Sequence, residues 1–369
     1  MKTNKFINYF LLTISIVPFL TSCEDDNKVE DVKISTGVYV LNAGNFGKNN
    51  STITYYDYTS GFAATDVFAQ KNSRILGDTG EDIIQYGGKA YIAVYGSSVI
   101  EVVNPTTMTS IKTISIKDNQ GTSLYPRTLA AANGKLYVVL YSGSVAQLDT
   151  VTLSVEKTVK VGTNPDKCVL VNNKLYVGNT GGMATVKDST VSVINLSTFT
   201  EEKKIVVNLN PSGDLGADSQ GDVYVQSNGK YNKAFPPKFQ RIEAGTGKVS
   251  NIVLKIGNDT ATVRGFKAYK DKAYIYTFDY DPSWQAINKR IVVYDLKNER
   301  IISENLVGTT TLDKTPYAIG VDPGNGDVYL GVTDYVNSGM VYCFSSTGTQ
   351  KFTFNSGLNP AHFLFVTEN

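Results

Sequence analysis

One short segment recurs seven times along the chain: a tyrosine within an apolar stretch that follows a tight turn and leads into a loop rich in Gly, Asn and Ser. Successive copies are 52, 46, 39, 48, 50 and 55 residues apart. This spacing is typical of a four-stranded propeller blade and not of a helical or leucine-rich repeat. The sequence therefore predicts an all-β fold, a seven-bladed β-propeller with four-stranded antiparallel blades. The repeated tyrosines are Tyr39, Tyr91, Tyr137, Tyr176, Tyr224, Tyr274 and Tyr329.

The fourth repeat shows how a blade is built. Alternating apolar residues between turn residues predict four strands, at 166–171, 174–178, 190–196 and 203–207. The first repeat begins directly at its second strand, 37–42, and the chain finishes with an inner strand, 360–366, that no second strand follows. We expect these two segments to pair, because this pairing closes the ring and removes the exposed sheet edges.

The composition suits a large β-protein. The chain has 369 residues, is 41% hydrophobic and contains 32 glycines, enough for a sizeable core and many turns. Two lysines are lost with residues 1–22, which leaves 33 basic against 34 acidic residues, so no basic field favours nucleic acid. Cys168 and Cys343 fall in different repeats, and we expect each to be a free, buried thiol.

The first 22 residues have the pattern of an export signal: Lys2, Lys5 and then an apolar run over 6–20. The following Leu-Thr-Ser-Cys resembles the lipobox of bacterial lipoproteins, and this resemblance implies that Cys23 is acylated and anchors the protein. The Glu-Asp-Asp-Asn at 24–27 resembles the acidic tag of surface lipoproteins of the Bacteroidetes, although a plain solvated tether is the alternative. We expect a signal peptide at 1–22, a lipidated tether at 23–36 and the propeller at 37–366, with the membrane contacted only through the lipid.

The loops between second and third strands surround one mouth of the central channel, together with the beginnings of the inner strands. Ligands bind at such concave places. Three of these loops are long, at 179–189, 227–238 and 279–289. Loop aromatics suit a large, flat, amphipathic ligand or a protein partner, unless they fold back onto the blades. The candidate binding residues on these loops are Asn45, Phe46, Tyr95, Tyr141, Asn179, Tyr231, Phe235, Tyr280, Trp284 and Tyr335.

The beginnings of the inner strands carry polar residues of both charges, which can bind amides or a phosphate. The alternative is that they pair with one another and only line the channel. The residues concerned are Glu81, Asp82, Arg127, Asp166, Lys167, Asp214, Arg264, Tyr317 and His362. Of these, we include Arg127, Arg264, Tyr317 and His362 among the candidate ligand-binding residues.

Catalysis finds little support in the sequence, and we expect neither catalytic residues nor a resident metal. His362 is the only histidine, so the multi-histidine sites of most zinc and copper centres are excluded. No Gly-x-Ser-x-Gly elbow occurs. The acidic segments 218–222 and 322–327 precede repeat strands and are predicted to be hairpin turns, not calcium loops. Carboxylates such as Glu81 and Asp166 leave open a channel calcium, as in lactonase-type propellers.

The opening Val-Tyr-Val-Leu-Asn-Ala-Gly-Asn-Phe-Gly at 38–47, followed by Asn-Ser-Thr-Ile-Thr-Tyr-Tyr-Asp at 50–57, resembles the YncE-like seven-bladed lipoproteins of gut Bacteroidetes. The likeness covers 37–366. Within that group the chain resembles the BtuG-type corrinoid-binding proteins, although the opening motif marks the group and not the ligand. This resemblance implies an outer-membrane lipoprotein, facing the cell exterior, that captures cobalamin or a related corrinoid and passes it to a TonB-dependent transporter.

Two other functions remain open at this stage. The ring is also compatible with a scaffold or adhesion module that binds a protein or a glycan, and with a metal-dependent lactonase or lyase. For a corrinoid ligand, cobalt coordination by His362 is compatible with the sequence but not required, because a corrinoid can be held entirely through its periphery.

Overall fold

The computed structural model describes Met1, residues 34–230 and residues 234–368. Within these residues, seven four-stranded antiparallel sheets form the blades of a β-propeller, which confirms the predicted fold class. None of the described helices is long and apolar enough to cross a membrane. The predicted signal peptide, Cys23 and Tyr231 lie outside the described residues.

The first four blades follow one another along the chain. Blade 1 contains β1 (Ile34–Asn42), β2 (Thr52–Asp57) and β3 (Ala63–Ala64), and the helix α1 (Val67–Asn72) follows it. Blade 2 contains β4 (Gly80–Tyr86), β5 (Lys89–Val94), β6 (Val99–Val103) and β7 (Ser110–Ser115). Blade 3 contains β8 (Pro126–Ala132), β9 (Lys135–Leu140), β10 (Ser144–Asp149) and β11 (Ser154–Lys160). Blade 4 contains β12 (Pro165–Val171), β13 (Lys174–Asn179), β14 (Thr190–Asn195) and β15 (Thr200–Val206).

The remaining strands complete the ring. Blade 5 contains β16 (Leu215–Ala217), β17 (Val223–Ser227), β18 (Lys238–Ile242) and β19 (Val249–Ile252), and a hairpin of β20 (Lys255–Ile256) and β21 (Asp259–Thr260) follows. Blade 6 contains β22 (Val263–Tyr269), β23 (Lys272–Tyr280), β24 (Ala286–Asp295) and β25 (Arg300–Ser303). Blade 7 contains β26 (Thr315–Val321), β27 (Val328–Thr333), β28 (Met340–Phe344) and β29 (Gln350–Asn355). The last strand is β30 (Pro360–Glu368).

The predicted closure of the ring is confirmed. β30 is the inner strand of blade 1 and pairs antiparallel with β1, with Gly37 opposite Val366 and Asn42 opposite Pro360. β30 also contacts the inner strands of both neighbouring blades, β4 and β26. The first and last strands of the chain therefore share one sheet, and this sheet joins blade 2 to blade 7.

A buried polar network reinforces this closure. Asp322, which is fully buried in the β26–β27 turn of blade 7, accepts hydrogen bonds from Ser35 Oγ and from the Tyr58 hydroxyl of blade 1. The Tyr58 hydroxyl in turn accepts a hydrogen bond from Tyr329, over 2.8 Å. A buried carboxylate is tolerated when such donors satisfy it, so these contacts tie the two ends of the propeller to each other.

The described core consists of seven apolar clusters, one between each pair of neighbouring blades. In β1, Val38 and Val40 pack toward blade 7, while Tyr39 and Leu41 pack toward blade 2. Successive strand residues point to opposite faces, and both faces of a blade are covered. The second strands, which carry the repeated tyrosine, are therefore apolar on both sides, and this explains the continuous apolar character of each repeat.

The repeated tyrosine fastens one blade to the next. The Tyr39 hydroxyl donates to the Thr106 carbonyl of blade 2 over 2.9 Å, and the Tyr224 hydroxyl donates to the Leu296 carbonyl of blade 6 over 3.0 Å. In these two repeats the tyrosine buries an apolar ring between two blades and still satisfies its polar end, whereas the Tyr91 hydroxyl is buried without a hydrogen-bond partner among the described residues. Packing between blades thus accounts for the recurrence of the residue.

We expect Tyr58→Phe to destabilise the propeller by about 1–3 kcal/mol, because it removes a hydrogen bond from the buried Asp322 carboxylate. Urea unfolding measures this change. Tyr55→Phe is the matched control, since no hydrogen bond to the Tyr55 hydroxyl is present among the described residues, and it should cost less than about 0.5 kcal/mol. Equal losses in the two variants would show that the closure network contributes nothing specific.

Candidate ligand-binding site

The inner strands are irregular at the place where they begin. The β-pairing skips residues after Gly80, Pro126, Pro165, Val263 and Pro316. A β-bulge of this kind leaves a residue unpaired and re-aims its side chain. The residues at these bulges line the central channel, a cavity of about 860 Å³. They include Glu81, Arg127, Asp166, Arg264 and Tyr317.

On the side of blades 2 to 4, the channel charges pair with one another. The Arg127 guanidinium binds Asp166 through Nε and Nη2, each over 2.9 Å, and Glu81 through Nη1. Its Cζ lies 5.1 Å from the Tyr95 ring centre and 5.5 Å from that of Tyr141. Burial tends to raise the pKa of Asp166, but the charges of Arg127 and Lys167 together with the Arg127 hydrogen bonds outweigh burial, and the net pKa lies below the ordinary value. Arg127 is therefore fully paired inside the protein.

His362 is also held by the channel wall. Its Nδ1 lies 3.1 Å from Oδ1 of Asp82, and the other oxygen of Asp82 accepts from the Leu129 N–H over 2.8 Å. Burial tends to raise the pKa of Asp82, but His362 and these hydrogen bonds lower it below the ordinary value. Across the described part of the chain, no group of three or more His, Cys, Asp or Glu is arranged to hold a metal ion.

A larger cavity, which we call the aromatic groove, lies beside the channel between blades 5, 6 and 7 and has a volume of about 1490 Å³. The groove and the channel share Asn228, Arg264, Tyr276 and Tyr317 as lining residues. Long second-to-third strand loops build its outer wall. The aromatic residues that line the groove are Tyr276, Phe278, Tyr280, Trp284, Tyr317 and Tyr335.

The hairpin of blade 6 displays Trp284 above this groove. Its strands β23 and β24 are nine and ten residues long, and Asp281 fixes the turn by accepting hydrogen bonds from Ser283 N and Gln285 N. Trp284 has a φ of 61°, in the left-handed region that bulky residues rarely adopt. Its ring lies 5.7 Å from that of Tyr280 and is 78% exposed. The loop therefore holds Trp284 out in solvent and does not fold it back onto the blade.

Arg264 brings positive charge into the groove. Its Cζ lies 5.0 Å from the ring centre of Phe278 and 5.3 Å from that of Tyr280. Its Nε donates to the Phe278 carbonyl over 3.1 Å, and within the described ranges it makes no ion pair. Lys289, another lining residue, donates from Nζ to the Leu312 carbonyl over 2.7 Å, and burial lowers its pKa. The groove thus combines apolar ring faces with an arginine that has no carboxylate partner among the described residues.

The candidate residues fall into groups. Arg264, Tyr280, Trp284, Tyr317 and Tyr335 come together in the groove. A second group surrounds the channel, where Tyr95 and Tyr141 stack on the paired arginine; it contains Asn45, Phe46, Tyr95, Arg127, Tyr141 and His362.

Two of the candidate residues belong to neither group. Phe235 does not line either cavity, although its neighbours Pro236 and Pro237 line the groove. Asn179 was expected in the loop, but it is fully buried at the end of β13. Its amide group donates to Thr190 and Ser192 and accepts from the Gly162 N–H, so we remove it from the candidate site.

The sequence prediction missed Tyr276, Phe278 and Lys289. A signal for the two aromatic residues is present, because Tyr274, Tyr276, Phe278 and Tyr280 recur at every second position. That period indicates an aromatic row on one face of a strand. Lys289 carries no comparable pattern, and its position depends on the length of the blade 6 hairpin.

A family model for a domain of unknown function matches residues 36–366. The chain belongs to the DUF5074 family. No functionally curated protein matches this DUF5074 chain in sequence.

Solved structures share the architecture of this DUF5074 propeller at low sequence identity. Kuenenia stuttgartiensis hydrazine synthase is 16% identical, with a TM-score of 0.57 over 69% of this chain and 73% of that one. The dihydro-heme d1 dehydrogenase NirN, in complex with DHE, is 11% identical, with a TM-score of 0.55 over 90% and 75%. The computationally designed Ika8 protein is 12% identical, with a TM-score of 0.52 over 87% and 88%. These similarities show the fold alone.

We expect Arg127→Gln to destabilise the protein by roughly 2–4 kcal/mol at pH 7, because it leaves two largely buried carboxylates unpaired. Asp166 has a lowered pKa in the folded protein, so its ion pair contributes stability above the unfolded pKa of about 3.9 and loses it as the pH falls through the folded value. The difference between variant and wild type should therefore hold from pH 7 down to about 4 and narrow as the pH falls below about 4, through the folded pKa of Asp166. Urea unfolding across this range tests it.

Arg264→Gln is the matched control for this experiment. Like Arg127, Arg264 contacts two aromatic rings, but it makes no ion pair among the described residues. The free energy of unfolding of the Arg264→Gln variant should lie close to that of wild type, and the difference between the two should not depend on pH. A loss in Arg127→Gln that is the same at every pH would assign the effect to packing and not to charge.

Proposed function

We propose that this DUF5074 protein is an outer-membrane surface lipoprotein, anchored through Cys23, that captures cobalamin or a related corrinoid and passes it to a TonB-dependent transporter. The aromatic groove is the observation that carries the proposal. Cobalamin has a large ring with an amide periphery, a benzimidazole and a phosphate. Ring faces such as Trp284 and Tyr280, the amide of Asn228 and the guanidinium of Arg264 suit these groups in turn.

The size of the groove supports a bulky ligand. Pockets for drug-sized molecules measure about 300–1,000 Å³, and the groove alone has about 1490 Å³. It continues into the channel past Arg264 and Tyr317, which line both cavities. A ligand much larger than a typical metabolite can therefore lie across the junction.

The groove is also arranged before any ligand arrives. Asp281 fixes the turn that carries Trp284, and Tyr280 packs against Phe278 at 5.3 Å. Rigid aromatic side chains lose little conformational entropy when a ligand binds. This arrangement favours capture by stacking over a surface that must order itself around its partner.

The channel carboxylates support binding and not catalysis. Glu81 and Asp166, the residues on which a channel calcium would depend, both bind Arg127. A calcium ion would have to displace this arginine from between two carboxylates. The propeller is therefore best described as a binding protein in this proposal.

We expect the purified protein to bind cyanocobalamin, and Trp284→Ala and Tyr280→Ala each to weaken binding by about tenfold or more, since stacked aromatic residues are typical hot spots worth about 2 kcal/mol. Isothermal titration calorimetry measures the affinities. Phe62→Ala is the matched control, because Phe62 is a similarly exposed aromatic residue in the β2–β3 turn, and its affinity should equal that of wild type.

Absence of heat with micromolar cyanocobalamin would refute the corrinoid assignment. The proteins that the propeller captures from outer-membrane extracts then distinguish delivery to a transporter from a scaffold function. A TonB-dependent transporter among the captured proteins agrees with vitamin delivery, while capture of adhesins or glycan by the same loop aromatics identifies a scaffold.

A further inference from the structure

Two arginines occupy equivalent places in the ring. Arg127 lies two residues before Leu129 in β8, and Arg264 lies two residues before Phe266 in β22. Leu129 and Phe266 occupy the same position in the pairing register of their blades, so the two arginines are equivalent. Both arginines sit at bulges and both have two aromatic rings within about 5–5.5 Å of Cζ. The protein thus contains two copies of one arginine cradle.

The two cradles differ in what the neighbouring blades supply. At the same register, the blades beside Arg127 contribute Glu81 and Asp166. The blades beside Arg264 contribute Gly213 and Tyr317. One arginine therefore lies between two carboxylates, and the other lies between a residue without a side chain and a phenol.

The guanidinium of Arg264 consequently keeps donors available. Only its Nε has a partner within the described residues, the Phe278 carbonyl, and the arginine lines both the groove and the channel. Tyr317 lies beside it, and burial raises the pKa of its hydroxyl, which is therefore protonated at neutral pH and able to donate. Arginine binds oxyanions through paired N–H donors, as Arg127 binds Asp166.

We propose that the groove selects ligands that carry an oxyanion, such as a phosphate, beside a planar apolar body, and that Arg264 binds this oxyanion through its Nη atoms, which have no hydrogen-bond partner among the described residues, as Arg127 binds Glu81 through Nη1. The inference rests on the proposed function only in placing the ligand in the groove. It adds the chemical class that the site requires, and it assigns the anion to one side chain.

The only tryptophan of the chain makes the site observable. Trp284 lines the groove and is 78% exposed, so energy transfer from it to a bound pyrene reports occupation of the groove. The probes are pyrene-1-sulfonate and 1-pyrenemethanol, which share a planar body and differ in the anion. We expect the sulfonate to bind about tenfold or more tightly than the alcohol, because a charge-assisted hydrogen bond is stronger than a neutral one. The preference should shrink as NaCl is raised.

Variants assign the preference to Arg264. Arg264→Gln should abolish it, while Arg300→Gln, which removes an exposed arginine from the outer strand of the same blade, should leave it intact. Tyr317→Asp should also abolish it, since the new carboxylate would pair with Arg264 as Asp166 pairs with Arg127. Tyr317→Asn is the neutral comparison: it removes the same ring without adding a charge, so it should keep more of the preference than Tyr317→Asp. Thermal unfolding confirms that each variant is folded.

The results separate this inference from the proposed function. A sulfonate preference that depends on Arg264, in a protein that does not bind cyanocobalamin, supports the oxyanion site and removes the corrinoid. A sulfonate that binds no more tightly than the alcohol, including no binding of either probe, overturns the oxyanion site even where cyanocobalamin binds. A preference that survives in Arg264→Gln overturns it as well.

Discussion

The pairing of the first strand with the last is the interaction on which the rest of the propeller depends. Each apolar cluster lies between two blades, so no blade buries its two faces without both neighbours. An open chain of blades would expose one face of blade 1 and one of blade 7, together with the unpaired edge of β1. The β1–β30 pairing and the contacts to Asp322 remove these exposed surfaces together. The closed ring then supplies a rigid base from which loops project and carry function.

The repeat made the architecture predictable because packing between blades imposes the same residue at the same place in every copy. The outer strands were harder to locate. In blade 4 the prediction began the last strand at 203, whereas β15 begins at Thr200, since one face of an outer strand is solvated and Glu201 and Glu202 interrupt the apolar alternation. The bulges of the inner strands were not predictable, because they arise from the fit between strands and leave no local pattern in the chain.

The residues of the candidate site were likewise predictable only in part. Aromatic residues on long polar loops are conspicuous in a sequence, and Tyr280, Trp284 and Tyr335 do meet in the groove. Asn179 has the composition of a loop residue, yet its amide is consumed by hydrogen bonds inside blade 4. Sequence reasoning places a residue at the end of a strand but does not say which neighbours satisfy it. Arg127 and Arg264 illustrate this point further, because only the register of the adjacent blades distinguishes a paired arginine from one that keeps its donors.

Departures from sevenfold repetition give the ring its candidate site. On blades 2 to 4, where Glu81, Arg127 and Asp166 meet, the charged groups satisfy each other, and a ligand that binds Arg127 would first have to break an internal ion pair. On blades 5 to 7, a glycine and a tyrosine replace the acidic residues, and a lengthened hairpin raises aromatic faces above the surface. Stacking on two rings makes tolerable there a guanidinium that has no ion pair within the part of the chain that the structure describes. In the proposed oxyanion site, an incoming anion would gain its contact with Arg264 without first displacing a carboxylate of the described residues, and this would make the two halves of one ring differ in their capacity to bind.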